Sequence, residues 1–128
     1  MSKKAKNRQS LEEILASCSD TLFPAELREA KVDLDSRDAD GDTPLHVLLW
    51  RGNNYGVQRL IEAGADVNAV GDMSETPLHI AVRKNNIDAI TQLLQAGADP
   101  SRVSEFGQTP KDIANSIGGQ TKQLFSQV

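Results

Sequence analysis

The segment Thr43-Pro44-Leu45-His46 recurs as Thr76-Pro77-Leu78-His79 and, degraded, as Thr109-Pro110-Lys111-Asp112, each copy 33 residues after the one before. A second word keeps the same interval: Gly64-Ala65-Asp66-Val67-Asn68 returns as Gly97-Ala98-Asp99-Pro100-Ser101. Two unrelated words on one period make an internal repeat, and this restricts the fold more than any other feature. Each unit is one small supersecondary piece that cannot bury its apolar face alone, so like units must stack. Composition agrees. Hydrophobic residues are 38% of the chain and aromatics 4%, thin for a compact core but enough where each unit packs only on its neighbours.

Each unit reads as loop, helix, short turn, helix, loop. Thr43 offers a hydroxyl to the free amides of a first helical turn, and Pro44 follows where its missing N–H costs nothing. The helix runs through Leu45, Val47, Leu48 and Leu49 and ends at Gly52-Asn53. A second helix carries Val57, Leu60 and Ile61 at i, i+3, i+4 spacing and stops at Gly64. The next unit repeats this logic through Leu78, Ile80, Ala81 and Val82, the turn Asn85-Asn86, then Ile87, Ile90, Leu93, Leu94 and Gly97. Asp66 and Asn68 begin a loop in which short polar side chains can hold a turn.

Two weaker units flank these. Upstream, Ser10 is an N-cap with Glu13 at the capping-box position. Leu11, Ile14, Leu15 and Cys18 line a first helix, and Pro24 opens a second that includes Leu27. Downstream, Thr109-Pro110 opens a helix with Ile113 and Ala114, and Leu124 and Phe125 close the core one step out of register. Glu12 and Glu13 upstream, and Lys111 and Asp112 downstream, imply wetted outer faces, as end units need. The expected organisation is a basic tail over 1–9 and a repeat domain over 10–128, divided into 10–36, 37–69, 70–102 and 103–128. Such a set is expected to be a complete small protein. Leu15 and Leu48 stand where Ala81 and Ala114 stand later, and their bulk is expected to wedge the first two units apart.

The 33-residue period with Thr-Pro-Leu-His resembles the ankyrin-repeat family, from about residue 10 to the end. The resemblance implies an all-α solenoid of helix-turn-helix units with β-hairpin-like loops at right angles to the helices. It implies that His46 and His79 hydrogen-bond backbone and tie neighbouring loops. Leu60, Asp66 and Asn68 also match the spacing at which some ankyrin proteins are hydroxylated on asparagine, although these residues are equally the plain repeat consensus.

The family binds partner proteins on a concave side made of hairpin tips and the late positions of each first helix. By the repeat period, those positions are Ala39, Asp40, Asp42, Trp50 and Arg51; Asp72, Met73, Glu75, Arg83 and Lys84; and Glu105, Phe106, Gln108, Ser116 and Ile117. They include the chain's single Trp, a Met and a Phe, side-chain types suited to dominating or adapting an interface. If Trp50, Met73 and Phe106 lie exposed together, they form an apolar ridge that a monomer rarely leaves unused. The alternative is that each tucks against its neighbour, with Trp50 under Arg83.

Other chemistries find little support. His46 and His79 have no cysteine near them to complete a zinc site. The run Asp38-Ala39-Asp40-Gly41-Asp42 puts Ser36 and Val47 where a calcium loop needs ligands. No phosphate-cradling or nucleophile motif is present, and Cys18 has no histidine in its own unit. No catalysis, cofactor or metal is therefore expected. Lys3, Lys4, Lys6 and Arg8 concentrate positive charge in the tail. The chain has 14 basic and 18 acidic residues, so the body beyond the tail is strongly acidic, against duplex nucleic acid and suited to a basic protein partner. One cysteine and no long apolar run point to a reducing compartment and no membrane span, hence the cytoplasm. The expected role is a non-catalytic protein-binding module, monomeric when free, acting as adaptor or inhibitor. Alternatives are an immunity-type inhibitor of a cognate toxin or enzyme, and a structural scaffold subunit.

Overall fold

The computed structural model describes residues 9–18 and 32–126. The basic tail, Pro24 and Leu27 lie outside the described residues. Among those described there are seven α-helices and no strand: α1 Leu11–Ala16, α2 Pro44–Arg51, α3 Asn54–Glu62, α4 Pro77–Arg83, α5 Ile87–Gln95, α6 Pro110–Ile117 and α7 Gly119–Phe125, with a 3-10 turn at Asp72–Ser74.

The repeated threonines account for where the helices begin. Thr43, Thr76 and Thr109 all have extended backbone, with ψ of 170°, 168° and 161°, and each hydroxyl accepts from the amide three residues on. Proline follows at the first helical position each time. The turns between paired helices also correspond. Gly52 takes φ 74° and its counterpart Asn85 φ 52°, a left-handed conformation that asparagine tolerates better than most residues. Asn53 and Asn86 then cap the second helices, accepting from the Gly56 and Ala89 amides.

The helices pack in two rows. α2, α4 and α6 form one, and α3, α5 and α7 the other, with each pair joined by its own turn and α1 resting on α3. Between the rows Leu45, Leu48, Leu49, Leu60, Leu78, Ile90, Leu93 and Phe125 are sealed from solvent, which is the burial predicted from the period. Ile61, Leu94, Leu124 and Leu11 pack at its edge. Cys18 is buried in the same core, and burial pushes its thiol pKa up, as for a small apolar filler.

Leu48 packs against the bare backbone of Gly56 within its own unit. A Cβ at Gly56 would stand 2.9 Å from Leu48 Cδ1, so the missing side chain on α3 makes the room that leucine on α2 fills. One period later both positions are alanine, Ala81 and Ala89, and both are buried. Leucine with glycine in one unit thus corresponds to alanine with alanine in the next.

Candidate functional site

The loops ahead of α2, α4 and α6 are each closed by a matching backbone hydrogen bond, Asp38 N–H to Asp42 O (3.0 Å), Gly71 to Glu75 (2.9 Å) and Ser104 to Gln108 (2.9 Å), with a second inside it from Gly41 to Asp38, Ser74 to Gly71 and Gly107 to Ser104. These are tight tips without a strand ladder. They are fastened to one another. Glu105 N–H donates to Met73 O at 2.9 Å, Asp72 N–H to Asp42 Oδ1 at 2.9 Å, and Arg37 Nη1 to both Gly41 O and Val70 O at 2.7 Å. Gly71 allows this approach, since a Cβ there would sit 2.3 Å from Asp42 Oδ1.

The histidines complete the fastening. His46 Nδ1 accepts from the Thr43 amide (3.2 Å), which leaves Nε2 as the N–H that donates to Glu75 O in the next tip (3.1 Å). His79 repeats this with Thr76 (3.0 Å) and Gln108 O (3.0 Å). Both rings are fully buried and serve structure, as the resemblance implied. Burial first, opposed by the Glu75 carbonyl, moves the His46 pKa below its usual 6.5. The acidic loop is likewise occupied with backbone: Asp38 Oδ1 takes the Asp40 and Asp42 amides, each at 2.9 Å. Asn68 accepts from Asp99 N–H at 2.7 Å and donates to Gly97 O at 3.4 Å, bracing successive loops.

These fastened tips shape a groove of about 290 Å³ lined by Asp42, Trp50, Asp72, Met73, Glu75, Ile80, Arg83 and Phe106. Trp50, Met73 and Phe106 are 45%, 46% and 61% exposed, and the fold brings all three to this one place. Met73 is held there by a left-handed backbone, φ 60°. Asp40, Arg51, Lys84, Glu105 and Gln108 lie outside the groove lining, with Asp40, Lys84 and Glu105 exposed and Gln108 half-buried. Arg51 reaches back to Ser17 O at 3.0 Å, so it ties the first unit to the second. Ile80 was expected only as core. It also borders the groove, because it sits on α4 directly behind Arg83.

Two expectations need correction. Glu75 was read as an exposed tip residue, but it is only 6% exposed. Its carboxylate turns inward to accept from Arg83 Nε at 3.0 Å and from Arg83 Nη2. A buried carboxylate needs such a partner, since an unpaired buried charge is very costly. That pairing decides the second point. Arg83 does not cover Trp50. Its guanidinium carbon lies 5.6 Å from the Phe106 centroid, and Lys84 Nζ stands 5.7 Å from the Trp50 ring. The cation–π contact imagined at the tryptophan exists with the neighbouring cation.

A second depression, about 320 Å³, lies between α3 and α5, lined by Gln58, Ile61, Glu62, Gln92, Gln95 and Ala96. None of its lining residues is a large, exposed apolar side chain. The apolar side chains exposed in the first groove make that groove the stronger candidate.

No group of three or more His, Cys, Asp or Glu residues able to hold a metal occurs among the described residues. No helix among them is long and apolar enough to cross a membrane. A family model described as ankyrin repeats, in three copies, matches residues 5–104. No curated protein matches the chain.

Proposed function

Because the chain belongs to the ankyrin-repeat family, we propose that it is a non-catalytic binding module whose groove at Trp50, Met73 and Phe106 seats a partner protein, as adaptor or inhibitor. Ankyrin repeats are generally protein–protein interaction modules, and the family is typically non-catalytic. The observation that carries the reading is the convergence of three exposed, large apolar side chains on one rigidly fastened groove. Trp50, Arg51, Asp72, Met73, Arg83, Lys84, Phe106 and the tip residues Asp40, Asp42, Glu105 and Gln108 form the proposed contact surface. Glu75 supports it from beneath through Arg83. The division into units at 10–36, 37–69, 70–102 and 103–128, and a cytoplasmic location, belong to the same proposal.

The acidic tips favour the inhibitor form of this role, masking a basic enzyme or toxin, because complementary fields speed encounter and reject wrong partners. A scaffold that grows end to end is disfavoured, since Glu12, Glu13, Lys111 and Asp112 are all exposed.

The test is affinity capture from an extract of the source cells, with the wild-type chain and a Trp50→Ala, Phe106→Ala variant run in parallel. The expected result is a specific protein retained by the wild type and lost by the variant, with a thermal melt showing that the variant is folded at the capture temperature. Equal retention by the two would overturn the groove as the contact surface.

A further inference from the structure

The groove has a chemical preference that its shape and charge define together. Its volume of about 290 Å³ lies at the bottom of the range of about 300–1,000 Å³ usual for small-molecule sites, and suits one long side chain. Its walls are the apolar faces of Trp50, Met73, Phe106 and Ile80, and its charged members are Asp42, Asp72, Glu75 and Arg83. The last two neutralise each other. Asp42 and Asp72 form no ion pair among the described residues. Asp42 spends Oδ1 on the Asp72 amide at 2.9 Å, which fixes the two carboxylate-bearing tips side by side. The nearby cations are already engaged, Arg83 over Phe106, Lys84 over Trp50, and Arg37 on the Gly41 and Val70 carbonyls.

An apolar side chain seated here would strip water from Asp42 and Asp72 and return nothing to them. An acidic one would be repelled. A side chain with an apolar stem and a cationic head satisfies both parts of the groove, its methylenes against Met73 and Phe106 and its head at the two aspartates. We infer that the groove takes an arginine or lysine side chain projecting from the partner protein. This rests on the reading of the groove as the contact surface and names what enters it.

A phage-displayed library of random peptides, selected on the full chain, tests this. Fluorescence anisotropy of each selected peptide, labelled with a dye, reads affinity for the wild type and for every variant alike. The expected binders carry a basic residue whose replacement by norleucine weakens binding about tenfold or more. That arm requires no change in the protein. Asp42→Asn with Asp72→Asn should weaken the unmodified peptides by a similar factor, with the loss shrinking in high salt. Asparagine keeps an oxygen for the Asp72-position amide, and a thermal melt checks the fold. Binders that need Trp50 and Phe106 but have no essential basic residue would overturn this inference and leave the groove reading standing. Binders indifferent to Trp50→Ala with Phe106→Ala, or no binders at all, would overturn both.

Discussion

Helices α1, α2, α4 and α6 differ at one slot of the first turn, and the difference separates the middle pair from the outer two. Glu13, His46, His79 and Asp112 occupy it in turn, and all four close a capping box with the residue three positions earlier. Glu13 Oε1 accepts from Ser10 N–H at 2.8 Å and Asp112 Oδ2 from Thr109 N–H at 3.0 Å. Only the histidines carry a donor as well as an acceptor. Nε2 of each crosses to the carbonyl of the following tip. A carboxylate is sufficient where a helix needs only a cap. An imidazole is needed where one side chain must accept on one edge and donate on the other. The outer units thus stay charged and wet, and the inner ones are stitched together.

The largest break in that contrast should come from the core. Leu93 is sealed between α5 and its neighbours, whereas Leu124 is only partly buried. Leu93→Ala is expected to cost about 2–5 kcal/mol in urea unfolding, and Leu124→Ala about 1 kcal/mol or less. Equal costs would mean that the last unit packs as tightly as the inner ones.

A smaller effect isolates the stitch. His79→Ala removes a cap and leaves the Gln108 carbonyl without its donor, at about 2–3 kcal/mol. Asp112→Ala removes a cap alone, at about 1 kcal/mol. His79→Asn should fall between them, because its uncharged side-chain oxygen keeps the cap while the side chain is too short to make the bridge. If it unfolds at the same denaturant concentration as His79→Ala, the cap contributes nothing and the bridge everything.

The smallest effect is one of pH. The pKa of His46 is lowered in the folded chain, so folding favours its neutral form. Its contribution is complete above the unfolded value near 6.5 and is lost as pH falls from there through the depressed folded value. The thermal midpoint should therefore decline as pH drops below about 6.5, with hydrogen exchange quickening in α2 before α6. A midpoint that is flat between roughly pH 7 and 5 would show that burial does not disfavour the charged ring.

Much of this was legible in the chain. Thr43, Thr76 and Thr109 as helix caps, Ser10 with Glu13 as a capping box, the turns at Gly52 and Asn85, and the buried faces all follow from local rules applied on a fixed period. The exposed trio Trp50, Met73 and Phe106 was also legible, but only through the family's geometry. The fate of Glu75 was not: nothing local says that it turns inward to an arginine eight residues later. The packing of Leu48 on Gly56 was equally hidden, because each position looks unremarkable until the two helices are placed together.

The sequence alone determined the architecture, because caps, turns and a 33-residue apolar period are short-range signals that act within one unit and then recur. Only the tertiary structure decided the character of the groove. Arginine and lysine side chains are long enough to reach several neighbours, and which of them Arg83 and Lys84 chose depended on a carboxylate losing its water when the units stacked. Burial of Glu75 claimed Arg83 and left Trp50 to Lys84, with Asp42 and Asp72 outside both pairings.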